Sequence, residues 1–170
     1  MILTINGLPM SGKDQFMEYC KEYSTDIPVY IISTVDWIKQ VAAGSFDWDG
    51  NKTPEARKFL SELKRITKEW CDLPYKKTCE LINEKISEND KCLIFVVSRE
   101  PEEIERFEYD YGAISILMDR EKCLKDKQSN DSDKRVFEHV YDYVIDNNGT
   151  LEDLKETAQK FLSIISVLND

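Results

Sequence analysis

Long hydrophobic runs are missing from this sequence of 170 residues. The longest apolar stretches, such as 92–97, are far shorter than the roughly 18 residues that a membrane-spanning helix needs. The beginning of the chain also lacks the basic region followed by an apolar stretch that marks a secretory signal peptide. We therefore expect a cytoplasmic protein without a membrane partner.

Positive charge is scarce. The chain has 23 Lys and Arg against 33 Asp and Glu, which gives a formal net charge of -10. Because nucleic-acid backbones are bound by clustered basic side chains, this balance excludes a protein that coats nucleic acid. An anionic ligand must instead be held by a local site.

Paired cysteines are lacking as well. The chain contains no Cys-x-x-Cys motif, and an odd number of cysteines cannot form a closed disulfide framework: Cys20, Cys71, Cys79, Cys92 and Cys123. We interpret all of them as reduced thiols, with Cys79 and Cys92 buried for structural reasons. The single histidine, His139, has no matching Ser or Cys constellation, and we interpret it as a lid or strand-edge residue.

Glycine and proline are few, and 41% of the residues are hydrophobic, which excludes disordered and fibrous classes. Five apolar runs have the length and composition of strands: 2–5, 29–32, 92–97, 113–117 and 141–145. Segments with helical periodicity separate them. Alternating strands and helices predict a three-layer α/β domain over residues 1–170, with a parallel sheet covered by helices on both faces.

Helix signals are clear between the strands. Thr53 is followed by Pro54, the pattern of an N-cap and first helical residue, and then by an apolar stripe: Phe59, Leu63, Ile66 and Trp70. The segment 150–153 has the form of a capping box before the last helix. We predict that these helical stripes are buried. The polar segments 43–52 and 122–134 are predicted loops with the freedom to close over a ligand.

A glycine-rich motif directly follows the first predicted strand. It reads Gly7-Leu8-Pro9-Met10-Ser11-Gly12-Lys13, and a helical pattern comes after it, which is the context of a P-loop or Walker A motif. Its glycines let backbone N–H groups surround phosphate oxygens at the positive end of a helix. The predicted ATP phosphate-binding residues are Gly7, Ser11, Gly12, Lys13, Asp14 and Gln15. An ordinary glycine-rich turn without a ligand is the alternative.

The residue after Lys13 departs from the motif. A Ser or Thr normally binds magnesium there, but this chain has Asp14. A carboxylate is a suitable oxygen ligand for Mg²⁺, directly or through water, and is favourable in the first turn of a helix. We therefore predict Asp14 as the metal ligand.

The ending Ser11-Gly12-Lys13-Asp14 resembles the group that contains phosphomevalonate kinase and phage-type deoxynucleoside monophosphate kinase. The likeness extends to Ser98-Arg99 after the third predicted strand, to 111–113 before the fourth and to 142–150 before the last helix. It implies an adenylate-kinase-like fold with a five-stranded parallel sheet in the order 2-3-1-4-5. It also implies transfer of the terminal phosphoryl group of ATP, with Mg²⁺, to a second phosphate.

The resemblance and the fold suggest further site residues. We predict Arg99 and Arg120, which follow the third and fourth strands, as catalytic together with Lys13. A lid-like segment, about 120–139, would bring Arg120, Lys127 and Arg135 to the phosphates. An acceptor-binding helical region, about 34–90, would add Lys39 and Arg57 to Arg99, and Asn147 would frame adenine. A solvated surface is the alternative for Arg99, for Lys127 and Arg135 of the lid, and for Arg57.

One feature departs from the resembled group. Its members tend to read Ser-Asp-Thr-Arg after the third strand, whereas this chain passes from Ser98 straight to Arg99.

The preferred function is a kinase for nucleoside or deoxynucleoside monophosphates, and its partners would be ATP and a small phosphorylated acceptor. The alternatives are a phosphomevalonate-kinase-like enzyme and a nucleotide-binding regulator without catalysis. We expect a monomer or homodimer.

Overall fold

The computed structural model describes residues 1–124 and 135–168, without the side chains of residues 124 and 166–168. The chain forms two compact units. The first consists of Met1–Ile31 and the chain from Asn89 onward, and the second is Ile32–Glu88. The second unit nearly coincides with the predicted acceptor-binding region, whose role stays a prediction.

A five-stranded sheet forms the centre of the first unit. Its strands are β1 (Ile2–Asn6), β2 (Val29–Ser33), β3 (Leu93–Val97), β4 (Ile114–Asp119) and β5 (Tyr143–Asp146). They lie in the order β2-β3-β1-β4-β5, and β1 pairs in parallel with β3 and β4, as β4 does with β5. The predicted fold class and strand order are confirmed.

The helices follow the strands in sequence. They are α1 (Lys13–Tyr23), α2 (Asp36–Phe46), α3 (Pro54–Cys71), α4 (Leu73–Glu88), α5 (Pro101–Tyr111), α6 (Glu121–Leu124) and α7 (Leu151–Leu168). Among the described residues, none of them combines the length and the apolar character that crossing a membrane requires.

The core of the first unit joins α1 and α7 to the sheet. Phe16 of α1 is fully buried with Phe95 of β3 and with Leu154 and Ala158 of α7. The rings of Phe16 and Phe95 meet edge to face with centroids 6.2 Å apart, an arrangement that favours aromatic pairs beyond the area they bury. Burying one such ring contributes about 1.5–3 kcal/mol, so this packing holds α1 against the sheet.

The predicted helix caps are confirmed. The hydroxyl oxygen of Thr53 accepts a hydrogen bond from the Ala56 N–H at 3.2 Å and caps α3. At α7 the Thr150 hydroxyl accepts from the Asp153 N–H at 3.2 Å, and the Asp153 carboxylate accepts from the Thr150 N–H at 2.7 Å. This reciprocal pair satisfies N–H groups that a helix start otherwise leaves open.

The predicted start of β5 is wrong, and the strand is more exposed than its apolar run indicates. The strand begins at Tyr143, two residues later than predicted, and Tyr143 and Val144 are 59% and 61% exposed. The reason is its position at the edge of the sheet, next to β4 alone.

The predicted burial of the α3 stripe is also wrong. None of the residues of α3 is buried, and Ile66 and Trp70 are exposed. The second unit consists of α2, α3 and α4, which contact one another, and three helices have too little surface between them to enclose every apolar side chain. The predicted loop 43–52 is shorter than expected, since α2 continues to Phe46.

Candidate phosphate-binding site

The phosphate loop, residues 7–13, runs from the end of β1 to the start of α1. A Cβ at Gly7 would lie 2.6 Å from both the Met118 carbonyl oxygen and the Ser11 Oγ, a distance that real side chains do not tolerate. Gly12 has φ +95°, and a Cβ there would lie 2.2 Å from the Asn147 amide nitrogen. Both glycines of the motif are therefore required by space, and Gly12 also by its backbone conformation.

Lys13 begins α1 and is 6% exposed. Its Nζ lies 3.9 Å from a carboxylate oxygen of Asp14, whose side chain is 83% exposed. The Oγ of Ser11 is buried and has no hydrogen-bond partner among the described residues. A buried hydroxyl without a partner, two positions before a buried cation at a helix N-terminus, is an arrangement that suits an anion. Gln15 follows in the first turn of α1 and is exposed.

Met10 stands at the tip of the loop with φ +64° and its side chain 85% exposed. A positive φ is uncommon for a residue with a Cβ. Such strain persists only where the surroundings determine the backbone, so the conformation of the loop is imposed by its contacts.

A buried amide fixes the start of the loop. The Asn6 Oδ1 accepts a hydrogen bond from the Gly7 N–H at 2.8 Å, and the Asn6 Nδ2 donates to the Tyr141 hydroxyl at 2.8 Å. That hydroxyl donates to the Val136 carbonyl at 2.7 Å. Burial raises the pKa of Tyr141 to about 12, which keeps its proton in this chain of hydrogen bonds. No feature of the sequence marks Asn6 or Tyr141 as a residue of this site.

A second buried amide holds the other end of the loop. The Asn147 Nδ2 donates to the Ser11 carbonyl oxygen at 2.7 Å, and Asn147 is 6% exposed. The backbone N–H of Asn147 donates to the Asp119 carbonyl at 2.8 Å. Asn147 was predicted to frame adenine; the structure places its amide on the loop backbone.

The carboxyl end of β3 carries the predicted Arg99. Its carbonyl oxygen accepts a long hydrogen bond from the Asn6 Nδ2 at 3.4 Å, so its backbone lies beside the end of β1. The neighbouring Ser98 donates to the Glu103 carboxylate at 2.8 Å, and both residues are buried. This carboxylate reaches the end of β3 from α5. Sequence reasoning missed it because Glu103 lies in an acidic first helical turn, where Glu is expected on the surface.

The predicted lid residues have different surroundings. The Arg120 Nη1 donates to the Met10 carbonyl at 3.5 Å, and its Nε is buried without a hydrogen-bond partner in the part of the chain that the structure describes. Arg135 contacts the carboxylates of Glu102 and Glu138, and these hydrogen bonds raise its pKa. Lys127 lies outside the described residues. Of the two predicted lid residues that the structure describes, Arg120 is therefore the one that contacts the phosphate loop.

The predicted acceptor residues of the second unit lie on helix surfaces. The Lys39 Nζ pairs with Asp36 on its own helix at 2.9 Å, and Arg57 is exposed near the start of α3. Arg65, a further basic residue of α3, pairs with Glu62 and Glu69. A role of Lys39 or Arg57 in binding an acceptor stays a prediction.

Asp14 fits the prediction of a magnesium ligand in one respect. Its carboxylate is exposed in the first turn of α1, beside the phosphate loop. Residues 1–124 and 135–168 hold no group of three or more His, Cys, Asp or Glu side chains that could bind a metal ion. Mg²⁺ keeps several waters and is commonly bound through one or two carboxylates and substrate phosphates. A role of Asp14 as a magnesium ligand stays a prediction.

His139 lies away from the phosphate loop in the sequence and forms a separate polar contact. Its side chain is 5% exposed, and its Nε2 lies 3.0 Å from a Glu108 carboxylate oxygen and 3.4 Å from the Ser115 Oγ. The Ser115 Oγ donates to Asp142 at 3.1 Å. Ser115 is fully buried, so these residues hold the segment before β5 in place and offer no accessible nucleophile.

Comparison with known proteins shows the fold. The chain is similar to a dephospho-CoA kinase from Campylobacter jejuni, with a TM-score of 0.60 and 16% identity over 99% of this chain and 98% of that one. It is also similar to a shikimate kinase from Bacteroides thetaiotaomicron, with a TM-score of 0.50 and 11% identity over 96% of this chain and 98% of that one. Neither the protein-family models nor the curated proteins contain a match. The chain thus has the fold of P-loop kinases.

Proposed function

We propose that the protein is an ATP-dependent phosphotransferase that binds the triphosphate of ATP in the phosphate loop. The observation that carries this proposal is the loop itself. Two glycines that tolerate no Cβ shape it, and the buried Lys13 and the buried Ser11 hydroxyl provide a charge and a donor. Two solved kinases share the fold, which supports the reaction class.

Three basic side chains have distinct roles in this proposal. Lys13 neutralises the outer phosphates of ATP, and Arg120, whose Nε lacks a partner among the described residues, binds the phosphoryl group during transfer. Arg99 binds the acceptor phosphate from the end of β3. Phosphoryl transfer depends on positioning and on stabilising charge, and the planar fork of arginine suits both tasks. Asp14 would hold Mg²⁺, which when bound supplies further positive charge to the phosphates.

The preferred acceptor is a nucleoside or deoxynucleoside monophosphate. The support is the resemblance of Ser11-Gly12-Lys13-Asp14 to kinases of that group. A phosphomevalonate-like metabolite is the alternative acceptor, since a short phosphorylated compound uses the same positive groups. Asn147 stays a predicted adenine contact through its backbone, and Lys39 and Arg57 stay predicted acceptor contacts.

A nucleotide-binding regulator is the alternative to an enzyme. The aspartate expected after Ser98 is missing, and Asp14 replaces the usual hydroxyl residue. Against this alternative, the Glu103 carboxylate lies buried on Ser98 at the end of the same strand. We propose that it takes the place of the missing aspartate.

The test is production of ADP from ATP and Mg²⁺ with a panel of acceptors. The panel holds the nucleoside and deoxynucleoside monophosphates and phosphomevalonate. We expect turnover with at least one nucleotide, and a loss of roughly 100-fold or more in Lys13→Ala, the scale of losing one stabilising group at a transition state.

Lys21→Ala is the matched control because Lys21 is an exposed lysine in the last turn of the same helix. It should retain full activity. Tight ATP binding without turnover of any acceptor would favour the regulator, and turnover of phosphomevalonate alone would replace the preferred substrate.

A further inference from the structure

We propose that Asn147 is a positioning residue of the phosphate loop, which holds the Ser11–Gly12 peptide in the orientation that binds phosphate. This inference rests on the proposed function, because it explains how the loop is prepared for a polyphosphate. It differs from a role in binding adenine, since the group it acts on is the protein backbone.

The first step is the direction of the peptide group. The Asn147 Nδ2 donates to the Ser11 carbonyl oxygen at 2.7 Å in a buried position. The structure has no cis peptide bonds among the described residues, and in a planar trans peptide the C=O and the following N–H point in opposite directions. Because the Ser11 carbonyl points toward Asn147, the Gly12 N–H points away from Asn147. We infer that this N–H faces the inside of the loop.

The second step is electrostatic. A carbonyl oxygen carries partial negative charge, so a reversed peptide would present it to the phosphates and repel them. Loops that bind anions present successive N–H groups instead. One donor on the outer side of the peptide is enough to favour the required orientation, and Asn147 supplies it.

The third step is rigidity. The Asn147 N–H is bound to the Asp119 carbonyl at 2.8 Å, and the neighbouring Asn148 Oδ1 accepts from the Glu121 N–H at 2.9 Å. After these residues the capping pair of Thr150 and Asp153 begins α7. The turn is therefore tied to β4, to α6 and to α7. A donor on so constrained a turn can impose a conformation on the loop.

Gly12 fits the same explanation. A Cβ at this position would lie 2.2 Å from the Asn147 Nδ2 and 3.4 Å from its Cγ. The glycine thus admits the amide that orients the peptide. The motif glycine and Asn147, which are 135 positions apart in the sequence, act as one unit.

The experiment compares ATP with inorganic tripolyphosphate, which has the phosphates but no base. In Asn147→Ala, and in the similarly sized Asn147→Asp, which cannot donate, the affinity for both ligands should fall by the same factor. We expect that factor to be on the order of ten-fold or more, as for loss of a buried hydrogen bond. Gln159→Ala, which removes an exposed side-chain amide from α7, should bind both ligands as the wild type does. A loss for ATP alone would assign Asn147 to adenine and overturn the proposal, as would unchanged affinity for both.

Hydrogen–deuterium exchange of the free protein separates this inference from the proposed function. We expect faster exchange at residues 8–14 in both Asn147 variants, with the amides of β1 and β3 as protected as in the wild type. Uniformly faster exchange throughout the sheet would indicate a general structural role and contradict the inference. If the wild type binds neither ligand, the proposed function fails, and the exchange result still decides whether Asn147 positions the loop.

Discussion

Replacing Gly12 by alanine tests the geometry of the phosphate loop quantitatively. Gly12 has φ +95°, and the new Cβ would meet the Asn147 Nδ2 at 2.2 Å. Because atoms cannot remain this close, the Asn147 amide has to move and release the Ser11 carbonyl. The left-handed conformation costs about 1–2 kcal/mol with a Cβ, and a buried hydrogen bond that is lost costs about 1–3 kcal/mol. Gly12→Ala should therefore lower the free energy of unfolding by about 2–5 kcal/mol.

Gly112→Ala is the matched control in the same unit. Gly112 ends α5 with φ +60°, and a Cβ there would meet no atom within 4 Å. This variant carries the conformational cost alone, about 1–2 kcal/mol. Equilibrium unfolding in urea, followed by circular dichroism, measures both variants on the same scale. The difference between them reports the collision with Asn147 and the lost hydrogen bond.

The double variant Gly12→Ala/Asn147→Ala completes the cycle. Removal of the amide makes room for the new Cβ, so the two losses should not add, as is usual for residues in contact. Equal destabilisation by Gly12→Ala and Gly112→Ala, or strict additivity in the double variant, would show that the collision with Asn147 does not contribute to the loss.

Three further predictions concern the same unit. Tyr141→Phe should lower the free energy of unfolding by about 1–3 kcal/mol at neutral pH, because the Asn6 amide and a carbonyl lose a partner. Burial raises the pKa of Tyr141 in the folded protein to about 12, so the phenol stabilises the fold below pH 10 and loses this effect between pH 10 and 12. The difference in unfolding free energy between the two proteins, measured in urea, should therefore narrow over that range, and a constant difference would contradict the buried hydrogen bonds of Tyr141. Burial raises the pKa of Cys20 to about 12, so iodoacetamide at pH 8 should leave Cys20 unmodified in the native protein, and mass spectrometry finding it labelled as fast as in urea would disprove its burial. Arg135→Ala removes an exposed ion pair with Glu102 and should change the free energy of unfolding by less than about 1 kcal/mol. A larger loss, measured by urea unfolding, would show that the pair has a structural role.

The fold was predictable from the sequence because local signals agreed with one another. The strand before Gly7, the motif itself and the helical pattern after Lys13 specify one supersecondary unit, and the caps at Thr53 and Thr150 were read correctly. These features depend on neighbours within a few positions. The same holds for the glycines of the loop, whose roles follow from backbone geometry.

The contacts around the loop were not predictable in the same way. Asn6 and Tyr141 meet across 135 positions of the sequence, and Ser11 and Asn147 meet across 136. A single sequence contains no signal that pairs them. The residue types give part of the information, because a polar side chain such as Asn6 at the end of an apolar strand usually needs a buried hydrogen-bond partner.

Helical periodicity alone did not predict which apolar side chains are buried. The stripe of α3 has helical spacing, but Ile66 and Trp70 are exposed. Spacing shows which side chains share a face of a helix and does not show what covers that face. The exposed β5 has the same cause, since an apolar run does not show whether its strand lies at the centre or the edge of a sheet.

A titration of the free protein with inorganic tripolyphosphate, followed by the backbone amide resonances in NMR spectra, tests phosphate binding by the loop itself. In the proposed mode of binding, N–H groups of the phosphate loop surround the phosphates while Lys13 supplies the positive charge. We predict saturable shifts concentrated at residues 7–14, which vanish in Lys13→Ala and persist in Lys21→Ala. Shifts located elsewhere, or none at millimolar ligand in the folded wild type, would contradict this mode of binding.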